Sequence, residues 1–192
     1  MRFRSVSRAA RSKLRDKKGR RATAHVEVFF RRLLALAAPC YVANATPVIV
    51  ARVLKRTHPI DGGRCFLDGR RILGDGKSVE GFVSGVVAGM AVGLALERLC
   101  ALSTGEALTL SLGAMLGDAL GSFIKRRFGL ERGEPAPLLD QLSFLLIALL
   151  MYQLAYGRLD APIVATLIAA TPPVHLLANY LAYRLRLKEK PW

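Results

Sequence analysis

The segment "LGDALGSFIKRRFGLERG", residues 116–133, follows an apolar stretch directly and carries an acid, a hydroxyl and several cations. At about 100° per residue, Asp118 and Ser122 lie about 40° apart around a helix, and Lys125 lies within about 20° of Asp118. A carboxylate on this face can hold Mg²⁺, which prefers oxygen ligands and substrate phosphates, while cations neutralise phosphate oxygens. With Arg126 and Arg127 alongside, the stripe predicts a metal–phosphate site. The structural alternative is internal ion pairs, with the arginines reaching lipid headgroups.

A glycine-rich segment, "HPIDGGRCFLDGRRILGDGKSVEG" at residues 58–81, combines aspartates with basic residues. Glycine lets backbone amides come close to an anion, so this composition suits phosphate binding. Its "GDGKS" resembles part of a P-loop, but that motif requires glycine where Arg71 stands, and no strand pattern precedes it. We therefore exclude a nucleotide hydrolase.

Polar residues recur in other apolar segments. Asp140 opens the fourth one, and His175 and Asn179 lie one helical turn apart in the fifth. Asn44 stands between two prolines in the first, where it either satisfies backbone groups that the prolines free or lines a polar cavity. His175 is either a hydrogen-bonding partner between helices or a ligand. Several segments thus direct polar residues to one interface.

The elements that must position these residues are apolar helices. Of the 192 residues 52% are apolar, yet the net charge is +15, and the charges fall almost entirely in the connections. Spanning helices need roughly 20 mostly apolar residues. We expect an all-α integral membrane protein rather than a soluble helical domain, with five spans at about Leu33–Leu54, Phe82–Cys100, Ala107–Ile124, Leu138–Tyr156 and Ala161–Tyr183.

The distribution of Lys and Arg predicts the orientation, because these residues accumulate in cytoplasmic connections. The first and third connections and the C-terminal tail are rich in them, whereas the second and fourth contain only Arg98 and Arg158. The C-terminus and the two long loops, which would form the active site, are therefore expected in the cytoplasm. The basic residues 1–26, expected to be disordered, conflict with an odd number of spans; we expect them to contact lipid headgroups rather than nucleic acid. Residues 27–192 would be the catalytic domain, in an oligomeric state that stays open.

Two rows of glycines at four-residue spacing predict close helix packing. We expect the second and third spans to pack against each other through these rows, and the first span to be kinked or broken by its prolines. The rows are Gly81, Gly85, Gly89 and Gly93 in the second span, and Gly113, Gly117 and Gly121 in the third.

Three stretches, "PIDGGRCFLDGRRILGDGKS" (59–78), "GDALGSFIKRRFGLERGEPAPLLDQLSF" (117–144) and "TPPVHLLANYLAYRLRLKEKPW" (171–192), resemble the CDP-archaeol synthases. These are archaeal CTP-dependent cytidylyltransferases of ether lipid synthesis. The resemblance extends from about residue 33 to Trp192. One departure lies at residues 77–81, where the family often has Lys-Thr-Trp-Arg-Gly and this chain has Lys-Ser-Val-Glu-Gly.

The resemblance implies a membrane enzyme that condenses CTP with 2,3-di-O-geranylgeranylglycerol 1-phosphate, giving CDP-archaeol and pyrophosphate with Mg²⁺. It implies Asp118 and Asp140 as metal ligands, with Lys125 as a third catalytic residue. Asn44, His175 and Asn179 would contact the lipid phosphate or line a groove for the lipid. The residues implied in binding CTP and its phosphates are Asp61, Gly62, Asp68, Gly74, Lys77, Ser78, Ser122, Arg126 and Arg127.

Three alternative functions share features with this sequence. A cytidylyltransferase for an ester-linked phosphatidate would use the same chemistry. Enzymes that consume CDP-lipids need Asp-Gly-x-x-Ala-Arg, and the Asp68-Gly69 pair here continues without that alanine and arginine, so they are excluded. A non-catalytic transporter or lipid-binding scaffold would place polar residues at mid-membrane depth, and transporters often show inverted repeats. The polar residues instead gather at one interface.

Overall fold

The computed structural model describes the backbone of residues 2–100, 102–131, 133–188 and 190–191, and side chains from residue 20 onward within these ranges, Ala22 excepted. This part of the chain folds into helices, with two isolated β-bridges in the loop of residues 55–78. The expectation of an all-α protein is confirmed. The helices are α1 (Arg2–Leu54), α2 (Val79–Ala95), α3 (Glu97–Cys100), α4 (Thr104–Arg127), α5 (Leu139–Tyr156) and α6 (Ala161–Arg184).

Four helical segments are long and apolar enough to cross a membrane: Thr23–Leu54 of α1, and α4, α5 and α6. The second expected span is divided, because α2 ends at Ala95 and the short α3 follows. With 17 residues α2 is apolar but shorter. At 1.5 Å per residue it is about 25 Å long, close to the thickness of a hydrocarbon core.

Helix α1 differs from two expectations. Its backbone is helical from Arg2, where disorder was expected; Ala, Arg, Lys and Leu in the basic segment have high helix propensities. It also continues through both prolines instead of breaking. Pro47 cannot donate to the carbonyl of Ala43, and that carbonyl lies against Gly85 of α2, 2.8 Å from where a Cβ would stand. Close approach by a neighbouring helix is one way membrane helices tolerate proline.

Only one of the two glycine rows faces the helix expected for it. The α2 row packs on both α1 and α4, with a Cβ at Gly89 coming within 2.7 Å of the Pro39 carbonyl and 2.4 Å of the Ser111 hydroxyl. The α4 row packs on α5, where a Cβ at Gly117 would lie 2.4 Å from the Ser143 carbonyl. Spans two and three do pack together, but α2 contacts the face of α4 that carries Ser111, and the α4 glycine row lies on the opposite face. Positions 111 and 113 differ by about 200° around the helix, which explains the separation.

The connectivity brings one set of helix ends together. The C-terminal ends of α1, α4 and α6 and the N-terminal ends of α2 and α5 meet the loops 55–78 and 128–138. At the opposite end, the buried Glu106 of α4 accepts hydrogen bonds from Ser103 and from the Tyr152 hydroxyl, and Arg32 pairs with Asp160. Between the two ends lies an apolar core around Leu110, Leu145 and Cys40 of α4, α5 and α1.

Candidate active site

A cavity of about 270 Å³ lies where the loop 55–78, the end of α4, the start of α5 and the segment after α6 meet. It brings together residues from four separate parts of the chain. Seven of its lining residues were implicated from the sequence: Gly74, Lys77, Asp118, Ser122, Lys125, Arg126 and Asp140. The lining residues that were not are Leu73, Asp75, Gly76, Gly121, Gly133, Ser143 and Lys188.

Two lysine–carboxylate pairs dominate the cavity wall. Lys77 Nζ lies 2.5 Å from Asp118 Oδ2, and Lys125 Nζ lies 3.0 Å from both oxygens of Asp140. Lys125 also donates to the Glu134 carbonyl at 2.6 Å. Asp118 and Lys125 share one cavity with Ser122, as the helical periodicity predicted, but neither pairs with the other. Each carboxylate lies beside a lysine from a different segment, so both signs of charge are held at the cavity surface.

Arg126 provides a cation that no carboxylate offsets. Within the described residues its guanidinium forms neither a hydrogen bond nor an ion pair, and its buried Nε is without a partner. It lies against Gly74, where an added Cβ would approach its Cδ to 3.9 Å. Gly74 has φ +88°, a backbone conformation that favours glycine. The loop therefore packs closely on an arginine whose donors remain available for an anion.

Asp61 holds the loop from inside rather than lining the cavity. Its buried carboxylate accepts hydrogen bonds from Arg71 at 2.8 Å and from the backbone N–H groups of Gly63, Leu73 and Gly74 at 3.0, 2.9 and 2.9 Å. Burial raises the pKa of Asp61, but the hydrogen bonds from Arg71 and these amides outweigh burial and lower the pKa well below its usual range. Asp61 therefore sets the path of residues 61–74, the wall next to Arg126.

Arg127, which the resemblance implied in phosphate binding, does not line the cavity. Its guanidinium pairs with Asp68 at 2.9 Å, donates to the Arg71 carbonyl at 2.6 Å, and lies 4.8 and 4.9 Å from the ring centres of Phe66 and Phe123. Consecutive residues on a helix point about 100° apart, so Arg126 and Arg127 cannot both face the same cavity closely. Arg127 and Asp68 instead attach the loop to α4.

Gly62 and Ser78 do not line the main cavity either, and each has a local structural role. Gly62 lies in a turn closed by its N–H on the Pro59 carbonyl, outside the cavity. Ser78 caps α2, since its hydroxyl accepts from the Gly81 N–H at 3.1 Å, and it lines a smaller, mainly apolar cavity next to Lys77 and Asp118. At the departure from the family pattern, Glu80 accepts from both the backbone and the ring of His58 and closes the base of the loop.

The polar residues of α6 form a connected chain. Lys188 Nζ donates to Asn179 Oδ1 at 3.1 Å, and Asn179 Nδ2 lies 3.2 Å from His175 Nδ1. His175 also stacks on Phe144, with ring centres 6.3 Å apart. Neither His175 nor Asn179 lines the cavity, but Lys188 does. Asn44 is half-buried on α1 and lines neither cavity.

Lys188 and Asp75 are the charged lining residues that the sequence did not indicate as site residues; Lys188 stood only among the charges of the C-terminal tail. The pKa of Lys188 is lowered, mainly by burial. The charges of Asp140 and Asp118 raise this pKa, and those of Lys77 and Lys125 lower it. All four charged groups of the two ion pairs thus act on this lysine. No spacing in the sequence indicates this, because residues 185–188 fold back from α6 toward the cavity.

Asp118 and Asp140 are the residues that could hold a metal ion. Within the described residues, no cluster of three or more His, Cys, Asp or Glu is present. Mg²⁺ bound with a nucleotide does not require one, because one or two carboxylates, phosphate oxygens and water complete its coordination. Two carboxylates in the lining of one cavity, beside Lys77, Lys125 and Arg126, fit that requirement.

Comparison with known proteins gives a consistent result. The family model of CarS-like CDP-archaeol synthases matches residues 26–192. The CDP-archaeol synthase of Pyrobaculum calidifontis is 49% identical over 84% of this chain and 97% of its own length. That of Archaeoglobus fulgidus is 45% identical over 80% of this chain and 93% of its own length.

A solved structure, described as an intramembrane enzyme for archaeal membrane lipids biosynthesis, is also similar. It matches with a TM-score of 0.69 and 42% identity, over 76% of this chain and 91% of that chain. The residues matched by the family model, 26–192, include the loops and helix ends that build the cavity as well as the apolar helices. The chain therefore belongs to the CDP-archaeol synthase family.

Proposed function

We propose that this membrane enzyme condenses CTP with 2,3-di-O-geranylgeranylglycerol 1-phosphate to give CDP-archaeol and pyrophosphate. Family membership supports the reaction. The cavity with two lysine–carboxylate pairs at the ends of the apolar helices supports this place as the site of the reaction. A nucleotide from water and a phosphate on a lipid can both reach such a place.

The chemistry is a displacement at phosphorus. An oxygen of the lipid phosphate forms a bond to the α-phosphorus of CTP, and the bond from that phosphorus to the bridging oxygen of the β-phosphate breaks. Pyrophosphate leaves with that electron pair. The nucleophile arrives already anionic, so no general base is needed. The enzyme must bring two anions together and stabilise charge on the leaving group.

The side chains of the cavity can perform both tasks. Lys77 and Lys125 turn from their carboxylates to phosphate oxygens when substrates enter, and Arg126 offers further donors to the nucleotide phosphates. Ser122, on the same face of α4, adds a hydroxyl. Asp118 and Asp140 would hold Mg²⁺, which when bound neutralises phosphate oxygens and orients them for in-line displacement. The amides around Gly74 shape the wall against which the triphosphate lies.

The smaller cavity suggests how the lipid approaches. It shares Lys77 and Asp118 with the main cavity and is lined by apolar side chains, among them Pro47, Phe82 and Met115. Its volume of about 10 Å³ is too small for the glycerol, so we place the lipid phosphate at the Lys77–Asp118 pair and the glycerol and prenyl chains in a groove between the helices. Asn44 and His175 would contact the lipid from α1 and α6. The Lys77–Asp118 pair then marks where the two substrates meet.

The active site would face the cytoplasm, where CTP is available. The loops and the C-terminal segment around the cavity are rich in Lys and Arg, as expected on the cytoplasmic side. The N-terminal end of α1 would then lie across the membrane from the cavity.

An assay of pyrophosphate release tests the function. Purified protein in lipid vesicles receives CTP with or without the prenylated glycerol phosphate, and we expect release only with both. UTP, ATP, GTP and dCTP test the nucleotide, while phosphatidate and saturated ether lipids test the acceptor. Absence of release with every lipid phosphate would contradict the proposal, and preference for phosphatidate would assign the ester-linked substrate.

A further inference from the structure

The four cations of the cavity differ in what surrounds their charge. Lys77 and Lys125 each lie against a carboxylate, whereas Arg126 does not. Lys188 donates to the neutral amide of Asn179 at 3.1 Å. An amide oxygen orients an ammonium without cancelling its charge, and Lys188 lines the cavity.

The hydrogen-bond chain behind Lys188 fixes its direction. An ammonium only donates, so the oxygen of Asn179 must face Lys188 and its NH₂ must face His175. His175 Nδ1 therefore accepts, which places the ring proton on Nε2 and leaves the ring neutral. The stacked Phe144 ring holds His175 in place.

We propose that Lys188 binds a substrate phosphate and that Asn179 is its positioning residue. This inference rests on the proposed function, since it concerns the same cavity. It gives the segment after α6 a role in the site, because Lys188 adds a cation to the cavity lining. The ligand is a phosphate group, and it belongs either to the nucleotide or to the lipid.

Replacing the charge tests the assignment. We expect Lys188→Met to weaken phosphate binding about 10- to 100-fold, the range for loss of one charge-assisted hydrogen bond. Lys188→Arg should retain much of the binding. Arg186→Met is the matched control, because Arg186 is exposed, lies two residues away and does not line the cavity. All variants should unfold at the same temperature as the wild type.

Two measurements distinguish the source of the phosphate. Calorimetric titration with CTP measures nucleotide binding without turnover, and the KM for the lipid phosphate measures the acceptor. Loss confined to CTP affinity assigns the nucleotide, and a raised lipid KM alone assigns the lipid. If Lys188→Met leaves both within twofold of the control variant, the inference is wrong. The reaction itself stays intact in that case, which separates this failure from failure of the proposed function.

The positioning role has its own test. Asn179→Leu should reduce the same affinity as Lys188→Met, and the double variant should be no weaker than Lys188→Met alone, because Asn179 acts through the lysine. Additive losses would show that Asn179 acts independently and would overturn the positioning role.

Discussion

Lys77 and Asp118, 41 residues apart in the chain, form an ion pair of 2.5 Å that lies between a polar cavity and a smaller apolar one. The lysine belongs to the glycine-rich loop and the carboxylate to α4. The pair attaches the loop to the helix bundle and places both signs of charge where a nucleotide and a lipid headgroup can meet. Its carboxylate is the natural first target for mutation.

Asp118→Asn should reduce turnover at least about 100-fold, because a neutral amide oxygen is a much weaker ligand for Mg²⁺ than a carboxylate. The fold should persist, since an asparagine side chain fits the same space and Lys77 is partly exposed to water. Pyrophosphate release and thermal unfolding are measured on the same preparation. Glu97→Gln, an exposed carboxylate in α3 at the far end of the bundle, is the control. Near-normal turnover of Asp118→Asn would contradict the metal assignment.

The neighbouring arginines of α4 should have different phenotypes. Arg126→Met should raise the KM for CTP about tenfold with little change in stability, because its guanidinium faces the cavity and lacks a partner among the described residues. Arg127→Met should instead lower the free energy of unfolding by about 2–4 kcal/mol, through loss of the Asp68 pair, the Arg71 carbonyl bond and two ring contacts. Kinetics and thermal unfolding distinguish them, and the reverse pattern would contradict their placement.

Asp61 should keep the loop closed over a wide pH range. Its pKa is lowered in the folded protein, so its stabilising contribution is present above the unfolded pKa of about 3.9 and is lost as the pH falls through the folded pKa. Trypsin cleavage at the exposed Arg64 reports loop opening. We expect slow cleavage of the wild type between about pH 5 and 8, where the carboxylate is fully ionised.

Asp61→Asn should increase that cleavage about tenfold or more, because an amide cannot accept all the bonds that Arg71 and three backbone amides donate. Asp75→Asn is the control, since Asp75 also pairs with Arg71 but is exposed. Equal cleavage of the two variants would show that Asp61 does not hold the loop.

The local features of the site followed from the sequence because they depend on periodicity within one element. Asp118, Ser122 and Lys125 share a face by helical spacing alone, and the structure places them in one cavity. The apolar lengths of the helices likewise follow from the thickness of a bilayer. Such predictions need no knowledge of how distant segments pair.

The pairings themselves could not be predicted. Whether Lys77 meets Asp118, or Lys125 meets Asp140, depends on how the loop packs on α4 and α5. Arg126 and Arg127 look equivalent in the sequence, yet the rotation of α4 turns one to the cavity and the other to Phe66. Lys188 enters the site only because the chain folds back after α6.

The α4–α5 contact predicts a strong effect of a small substitution. A Cβ at Gly117 would lie 2.4 Å from the Ser143 carbonyl and 2.8 Å from Phe144 Cα, both backbone atoms that cannot rotate away. Gly117→Ala should therefore separate the helices and cost about 1–3 kcal/mol of unfolding free energy. Gly105→Ala, which meets only the Tyr156 hydroxyl at 3.0 Å, should be nearly neutral. Thermal unfolding in detergent measures the stability of both variants, and equal stability would contradict this packing.

The far end of the bundle should matter for stability but not for catalysis. Tyr152 donates to the buried Glu106 carboxylate at 2.8 Å, and removing a donor from a buried charged group costs about 1–3 kcal/mol. Glu106 lies 12 residues before Asp118 on α4, or about 18 Å along the helix axis, too far to touch a substrate in the cavity. Tyr152→Phe should thus lower the unfolding temperature and leave kcat and both KM values unchanged. Tyr156→Phe is the matched control, because among the described residues the one hydrogen-bond contact of the Tyr156 hydroxyl is with Thr109 at 3.4 Å. A change in KM for Tyr152→Phe, or equal destabilisation by the control, would show that this cluster does more than fasten α4 to α5.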